Sequence, residues 1–315
     1  MSVINVLMSS YNGDKYIKRQ IDSILNQQNV EVFLTIRDDG STDHTLSILQ
    51  DYQNLTNVRI IKGANVGFRQ SFIKLYSELR NEDADYYAFS DQDDVWMPQK
   101  LNEAVKKLNV YSVEPALYIS DRFIVNEDMS KILGKVYDRY PAYNWKATPV
   151  SRFIDSRGAG CVQVWNSMGQ KLLEHYIPFN ITHDEWVTAI FTFMGKIIYD
   201  NNSYIYYRRH QGNVSETTKN EIELGYVRKC INLFKNLKNK SFSQQIDIRA
   251  KFLLEGYSDI LTVSDKKDLY LFATYKRSFS KKIQILFRKK IKVTAGFTTG
   301  NYQIVKILML FTNGL

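Results

Sequence analysis

Strand-like and helix-like segments alternate along the first third of the chain, and this alternation restricts the fold more than any other feature of the sequence. Runs of β-branched, aliphatic and aromatic residues occupy positions 3–8, 30–36, 58–61 and 86–89. Between them, apolar residues recur at helical spacing. Strands and helices in this order imply parallel βαβ units with right-handed crossovers. We therefore predict an α/β fold with an open, mostly parallel, twisted sheet flanked by helices.

Polar clusters follow three of the four predicted strands at the points where the strands end. They are Ser10-Tyr11-Asn12, Asp38-Asp39 and Asp91-Gln92-Asp93-Asp94. In open α/β sheets, ligands bind outside the carboxyl ends of the strands. The three clusters are therefore expected to meet in one crevice, although they are far apart in the sequence.

The third cluster places three carboxylates, Asp91, Asp93 and Asp94, directly after an apolar strand. Without a counter-ion these groups repel one another and raise one another's pKa. Mg²⁺ or Mn²⁺, held by one or two carboxylates together with substrate phosphates, relieves this repulsion. The alternative is a solvated acidic turn that caps the following helix.

The second cluster has two interpretations as well. Ser41 or Asp43 suits the N-cap of the next helix. Asp38 and Asp39 precede the capping positions. Their carboxylates are suited to accept hydrogen bonds from a pyrimidine N–H or a ribose hydroxyl. Considered alone, this segment favours the capping role.

In order and spacing, the clusters resemble the motifs of glycosyltransferase family 2, which has the GT-A fold. The resemblance covers about residues 3–100 and rests on Ser9-Ser10-Tyr11-Asn12-Gly13, Ile21-Asp22-Ser23-Ile24-Leu25-Asn26-Gln27, Asp38-Asp39-Gly40-Ser41-Thr42-Asp43, Asn65-Val66-Gly67-Phe68 and Asp91-Gln92-Asp93. It implies that Tyr11 and Asp39 contact the nucleoside of a nucleotide-sugar donor. It implies that Asp91 contacts the ribose or the metal shell and that Asp93 binds Mn²⁺ or Mg²⁺. The other donor-binding residues expected from these motifs are Ser10, Asn12, Asn65 and Gln92.

The catalytic base of this family is an acid at the start of a helix in the second half of the chain. Thr182-His183-Asp184-Glu185-Trp186 fits that position and resembles the His-Asp-Trp-Trp pattern of bacterial rhamnosyltransferases. A helix N-terminus keeps Asp184 ionised, so that it can accept a proton from an attacking hydroxyl. Glu185 is the rival base, and an acid placed there only for helix stability is the non-catalytic alternative.

The segment Tyr207-Arg208-Arg209-His210-Gln211-Gly212-Asn213-Val214-Ser215 also resembles the rhamnosyltransferase subgroup. His210 is expected to complete the metal shell or to bond the diphosphate. Arg208 or Arg209 is expected to pair with phosphate oxygens. On the acceptor side we expect Gly160, Cys161, Glu185 and Trp186, although a plain glycine turn and ordinary core packing of the tryptophan are the alternatives.

The resemblance implies an inverting, divalent-metal-dependent sugar transfer to an acceptor hydroxyl in cell-surface polysaccharide assembly. The first candidate donor is dTDP-rhamnose, and UDP-hexose or UDP-N-acetylhexosamine is the alternative. A saccharide or a lipid-linked saccharide is the expected acceptor. Residues 91–95 also match the acidic motif of haloacid-dehalogenase-type phosphatases, but the nucleophile after the first strand and the later Gly-Asp motif of that class are missing.

Charge divides the chain near residue 220. Residues 1–219 hold 24 basic and 26 acidic residues, a net charge of −2, whereas residues 220–315 hold 18 and 7, a net charge of +11. We predict a catalytic domain at 1–220, with a nucleotide-sugar half at about 1–100 and an acceptor half at about 101–220. A basic helical region follows at 221–315.

An anionic partner would suit this basic region, and an unpartnered, solvated helical surface is the alternative. A membrane surface is favoured over nucleic acid, because the carboxylates at the strand ends would repel a polyanion. Residues 276–292 interleave basic and apolar residues as an interfacial helix does. Cys161 and Cys230 lack the spacing of a disulfide framework or a zinc site. Without a secretory signal or a membrane-spanning stretch, the sequence predicts a cytoplasmic protein, peripheral at the inner face of the membrane.

Overall fold

The structure is a computed structural model that describes residues 1–78, 83–136, 148–154, 158–179, 181–210, 213 and 245–288. The described residues of Met1–Val136 and Gly158–His210 form one compact unit. Those of Tyr137–Arg157 and Gln211–Leu315 form a second. The predicted boundary at residue 220 falls among residues that are not described, so it stays a prediction.

The first unit contains all the strands that the structure describes, and these form one sheet. The strands are β1 Ser2–Ser10, β2 Val30–Asp38, β3 Val58–Lys62, β4 Tyr86–Ser90, β5 Val95–Trp96, β6 Ala116–Val125, β7 Ile132–Lys135, β8 Gln163–Asn166 and β9 Lys196–Arg208. The helices are α1 Ile17–Leu25, α2 Thr45–Gln50, α3 Phe68–Glu78, α4 Lys100–Leu108, α5 Pro149–Ile154, α6 Ser167–Glu174, α7 His183–Met194, α8 Ile246–Gly256, α9 Val263–Thr274 and α10 Phe279–Phe287.

The sheet has the order β3-β2-β1-β4-β8-β6-β9-β5, with β7 paired to β6. Strands β1 to β4 are parallel, as predicted from the βαβ alternation. From β8 onwards the sheet is mixed, because β8 runs antiparallel to both β4 and β6, while β6 and β9 are parallel. The α/β class is confirmed, and the second half departs from the predicted mostly parallel arrangement.

Burial on both faces explains why β1 is an almost continuous apolar run. Ile4, Val6, Leu7 and Met8 are fully buried, which is typical of a central parallel strand covered by helices. Helix α1 packs through Ile17, Ile21 and Ile24, which recur at helical spacing. The parallel pairing of β1 with β2 and with β4 places the carboxyl ends of these three strands at one edge of the sheet.

The second unit contains α5 and, within the predicted basic helical region 221–315, the helices α8, α9 and α10. Its core includes Phe153, whose ring centroid lies 6.0 Å from that of Phe272 and 5.0 Å from the guanidinium carbon of the buried Arg249. Residues 221–244 and 289–315 of that region, including the end of the predicted interfacial stretch, lie outside the described residues. None of the described helices has the length and apolar content required to cross a bilayer.

Candidate functional site

The loops after β1 and β4 are joined by a reciprocal pair of hydrogen bonds. The backbone N–H of Tyr11 donates to Gln92 Oε1, and Gln92 Nε2 donates to the carbonyl of Tyr11, each at 2.9 Å. A Cβ atom on Gly13 would lie 2.3 Å from Gln92 Oε1, so any side chain there would displace the Gln92 amide. Two of the predicted clusters are therefore brought together, and the Gln92 amide serves as the link between their loops.

Asp39, predicted to contact the nucleoside, has internal partners in the structure. Its buried carboxylate forms an ion pair with Arg37 and accepts backbone N–H bonds from Val66, at 3.1 Å, and Gly67, at 2.9 Å. Arg37 also donates to the carbonyl of Ala64. Because both oxygens of Asp39 are used internally, this residue holds the loop that follows β3.

The loop after β2 is held by side chains from its own cluster and from the first one. Asp38 Oδ2 accepts the backbone N–H of Ser41 at 2.9 Å, and Ser10, which is buried, donates to Asp38 Oδ1 at 3.3 Å. Asn12 adopts a left-handed φ of 47° and accepts the N–H of Thr42 at 2.8 Å. Ser10 and Asn12 therefore shape the predicted donor site through internal hydrogen bonds.

Tyr11 and Asn65 are two predicted donor-binding residues that are exposed. The side chain of Tyr11 keeps 45% exposure, and Asn65 is exposed, with its Oδ1 accepting the N–H of Gly67 at 3.1 Å. They are suited to contact a ligand from the loops after β1 and β3.

His210 contacts Asp93, one of the acids of the third cluster. His210 Nε2 lies 2.7 Å from Asp93 Oδ2, and both side chains are largely buried. The His210 ring centroid lies 4.7 Å from that of Tyr16, whose hydroxyl donates to Glu127 Oε1 at 2.6 Å. The two residues predicted as metal ligands are thus adjacent, although they are 117 positions apart in the sequence.

Arg208, one of the two arginines predicted to bind phosphate, has internal partners in the structure. Its buried guanidinium donates to the carbonyl of Asp93 at 2.8 Å and to the carbonyl of Glu127, and its carbon lies 4.7 Å from the centroid of the Tyr16 ring. Arg208 therefore clamps the acidic loop to the end of β9. Arg209 is partly exposed, and its backbone N–H donates to the carbonyl of Val125 at 3.0 Å.

The carboxyl groups of the acidic cluster have strongly perturbed pKa values. Burial, followed by the charges of Asp93 and Asp184, raises the pKa of Asp91 to about 7. Burial and the charges of Asp93 and Asp91 raise the pKa of Asp94 well above its usual range. Asp94 is fully buried, and its Oδ2 has no hydrogen-bond partner among the described residues, while Oδ1 accepts the N–H of Arg208 at 3.2 Å. This excess of buried negative charge fits a divalent cation.

Cys161, predicted on the acceptor side, lies next to two acids of this cluster. One ligand atom each from Asp91, Asp94 and Cys161 lie within 4.8 Å of one another. Burial raises the pKa of the Cys161 thiol well above its usual range, so the sulfur stays protonated. A neutral thiol is a poor ligand for a hard cation, whereas carboxylate oxygens are preferred. The residues suited to hold Mg²⁺ or Mn²⁺ are therefore Asp91, Asp93, Asp94 and His210.

Asp184 lies in the first turn of α7, as expected for a base held at a helix N-terminus. Its Oδ1 accepts the N–H of Glu185 at 2.7 Å, and its charge is close enough to raise the pKa of Asp91. Both Asp184 and Glu185 are partly exposed. Trp186, by contrast, is buried with its ring centroid 6.2 Å from that of Tyr176, so it packs in the core instead of facing an acceptor.

Gly160 approaches α7 so closely that a side chain would not fit. A Cβ atom there would lie 2.4 Å from His183 Nε2. The His183 ring is buried and stacks on Phe72 with centroids 3.7 Å apart, and neither ring nitrogen has a hydrogen-bond partner among the described residues. Gly160 thus positions the start of α7, where Asp184 lies.

Two basic residues near the acids were not predicted from the sequence. Lys100 is buried, with Nζ 3.6 Å from the centroid of the buried Trp96 ring, and burial lowers its pKa to about 7. The charge of Arg122 lowers the pKa of both Asp91 and Asp94. Arg122 could have been recognised from the sequence, because the polar pair Asp121-Arg122 interrupts an otherwise apolar strand. No local pattern indicates that Lys100 is buried.

Comparisons with known proteins agree with this geometry. The family described as Glycosyl transferase family 2 matches residues 5–131. The dTDP-rhamnosyl transferase RfbG of Shigella flexneri is 34% identical over 167 residues, which are 50% of this chain and 53% of the relative. The uncharacterized glycosyltransferase alr2836 of Nostoc sp. is 26% identical over 219 residues, which are 67% and 66% of the two chains. The chain thus spans about half to two thirds of the length of these relatives.

A solved structure with a related fold is that of S. aureus TarS 1-349 in complex with UDP-GlcNAc. It superposes with a TM-score of 0.53 at 15% sequence identity and covers 100% of this chain and 90% of that chain. At this identity the likeness concerns the fold alone. With the strand-end acids, the sheet order and the family match taken together, the chain has the GT-A fold, and its residues 5–131 match glycosyl transferase family 2.

Proposed function

We propose that this protein transfers a sugar from a nucleoside diphosphate donor to an acceptor hydroxyl, with inversion at the anomeric carbon. The observation that carries the proposal is the placement of Asp184 near Asp91, within the acidic cluster that also contains Asp93 and Asp94. A cation site and a candidate base are thereby close together, as a displacement at the donor's anomeric carbon requires. The domain that performs this reaction would extend over residues 1–220, with 221–315 as an accessory region.

Mn²⁺ or Mg²⁺ would be held by Asp91, Asp93, Asp94 and His210. The bound cation would neutralise the charge that develops on the leaving diphosphate. Arg208 would keep the acidic loop in position through its bond to the carbonyl of Asp93. Tyr11 and Asn65 would contact the nucleoside, and Arg209 would pair with a phosphate oxygen.

Asp184 would act as the general base. The helix dipole at the start of α7 favours its ionised form, so it can take the proton of the acceptor hydroxyl as that oxygen attacks the sugar. The diphosphate then leaves from the opposite face, and no covalent bond to the enzyme forms. Glu185, the next residue in the same turn, is the alternative base.

For the donor, we propose dTDP-rhamnose, with UDP-hexose or UDP-N-acetylhexosamine as the alternative. The first is supported by the similarity to a relative named dTDP-rhamnosyl transferase, and the second by the shared fold of a protein solved with UDP-GlcNAc. Single hydroxyl contacts decide between such donors. The acceptor would be a saccharide or a lipid-linked saccharide in cell-surface polysaccharide assembly, at the cytoplasmic face of the membrane.

A panel of nucleotide sugars tests the proposal. Each donor is incubated with Mn²⁺, with and without oligosaccharide acceptors, and the release of nucleoside diphosphate and of phosphate is measured. Acceptor-dependent release of the nucleoside diphosphate is the expected result. Acceptor-independent release of inorganic phosphate would instead identify a phosphatase and overturn the proposal.

A further inference from the structure

A groove lies between helices α9 and α10 of the second unit, and none of the residues that line it is assigned to the proposed reaction. Its volume is about 540 Å³. Four basic side chains line it, and so do the apolar side chain of Leu271 and the ring of Tyr270. The basic side chains are Lys266, Lys267, Lys281 and Arg288.

The groove carries uncompensated positive charge. Arg288 forms an ion pair with Asp268, whose side chain is buried. Across the described part of the chain, Lys266, Lys267 and Lys281 form no ion pair. Lys281 Nζ donates to Thr274 Oγ1 at 2.7 Å and lies 4.5 Å from the centroid of the Tyr270 ring, so its charge is held over the groove. Three lysine charges are therefore available to an anion.

Exposed apolar side chains surround these charges. Leu271 is buried at the floor, whereas Tyr270 is 59% exposed and Val263 is 69% exposed. On α10, Phe279 and Phe287 are 70% and 75% exposed. An exposed aromatic residue at each end of an amphipathic helix is costly in water but suits the boundary between lipid headgroups and acyl chains. The surface thus combines cationic and apolar contacts.

We propose that this groove binds the phosphate group of an anionic lipid at a membrane surface. Lys266, Lys267 and Lys281 would contact the phosphate, while Tyr270 and Phe279 would contact hydrocarbon. Charge complementarity favours an anion, and the apolar surround favours a lipid over a free phosphate or a nucleic acid. The proposal does not depend on the sugar-transfer chemistry, because none of these residues belongs to the acidic cluster or its helix.

Vesicle co-sedimentation of the full chain tests this site. Wild type is expected to bind vesicles that contain phosphatidylglycerol and not vesicles of phosphatidylcholine alone. Each lysine near an anionic surface contributes about fivefold in affinity, so Lys266→Gln/Lys267→Gln/Lys281→Gln is expected to bind about 100-fold more weakly. Lys106→Gln/Lys107→Gln on α4, which removes exposed charges outside the groove, should change the affinity by less than about threefold.

Gln284→Glu, an exposed position in the groove, offers a second test that removes no side chain. It is expected to weaken binding of the anionic vesicles without changing thermal unfolding. The proposal would be overturned if wild type and the triple variant bound the anionic vesicles equally. It would also be overturned if the α4 control lost as much affinity as the triple variant. A competition experiment measures whether glycerol phosphate or single-stranded DNA displaces the protein from anionic vesicles as effectively as an excess of the same vesicles does. Equally effective displacement would overturn the proposal too, in favour of a free phosphate or a nucleic acid. Unchanged sugar transfer by the triple variant to a water-soluble acceptor separates this result from a failure of the proposed reaction.

Discussion

His210 Nε2 lies 2.7 Å from Asp93 Oδ2, although the two residues are 117 positions apart in the chain. Strand β9 ends at Arg208, and its position next to β5 and β6 carries His210 to the loop that follows β4. The proposed cation site therefore depends on both halves of the first unit. This dependence leads to the first prediction.

Replacing His210 by alanine is expected to weaken Mn²⁺ binding by about 10- to 100-fold, because the cation loses either a ligand or the group that orients Asp93. Asp93→Ala is expected to lose the binding altogether. Isothermal titration calorimetry of Mn²⁺ into each variant measures the change. His175→Ala, which alters an exposed histidine at the end of α6, is the matched control. Wild-type affinity in the His210 variant would contradict the prediction.

Cation affinity should rise with pH through the range around neutrality. The pKa of Asp91 is raised to about 7, so below that pH the ion-free protein holds a proton that the cation must displace. The affinity should therefore fall about tenfold for each pH unit below about 7. Calorimetry at about pH 5.5, 6.5 and 7.5, in buffers of different ionisation enthalpy, measures both the affinity and the proton release. In Asp91→Asn the affinity should be lower and its pH dependence flatter, whereas an unchanged slope would assign the proton to another group.

Asp184→Asn is expected to reduce the rate of sugar transfer by about 10²- to 10⁴-fold while donor binding is retained. The amide keeps the size of the side chain and its place at the start of α7, but it cannot accept the proton of the acceptor. Steady-state kinetics together with calorimetric donor binding separate the two effects. Glu185→Gln is the matched variant in the same helical turn. If that variant loses transfer while Asp184→Asn keeps it, Glu185 is the base.

The buried pair of Arg37 and Asp39 should contribute to the stability of the first unit. Asp39→Asn leaves the guanidinium of Arg37 buried without its charge partner, which typically costs about 3–5 kcal/mol in the free energy of unfolding. Urea denaturation followed by circular dichroism measures this difference. Glu103→Gln, which breaks the exposed pair with Lys106, should cost less than about 1 kcal/mol. A loss of nucleotide affinity in Asp39→Asn with unchanged stability would favour the nucleoside contact instead.

His183 should make the protein sensitive to acid. Burial lowers its pKa from 6.5 to about 3, so the unfolded chain binds a proton there at pH values where the folded chain does not. The free energy of unfolding is therefore undiminished by this group above about pH 6.5. Below that pH it falls, by up to about 1.4 kcal/mol per pH unit, because protons bind the unfolded chain. Denaturation at about pH 7, 6 and 5 compares wild type with His183→Asn. The two curves should converge towards low pH, and parallel curves would show that His183 is not the group responsible.

The sequence predicted the first four strands because each carries its own local signal. Strand β1 was expected at residues 3–8 and extends over Ser2–Ser10, and its apolar run is continuous because both faces are covered. A helix was expected to start near Asp184, and helix α7 spans His183–Met194. Such elements are recognisable from periodicity alone.

Strand β8, in the second half of the sheet, could not be predicted in the same way. Strand β8 is only four residues long, Gln163–Asn166, and contains three polar or amphipathic side chains. Its extended conformation depends on pairing with β4 and β6, which come from distant parts of the chain. Because it is antiparallel to both, it also turns a parallel sheet into a mixed one.

The order of residues along the chain determined which polar side chains stand at the ends of the strands, and hence that Tyr11, Asp39 and Asp93 share one edge of the sheet. The tertiary structure alone decided how each is used. Asp39 is neutralised by Arg37 and the N–H groups of the β3 loop. Burial and mutual repulsion instead raise the pKa values of Asp91 and Asp94, and Asp94 Oδ2 has no hydrogen-bond partner among the described residues. Hydrogen-bond partners and burial depend on contacts between distant segments, and no local pattern of residues specifies them.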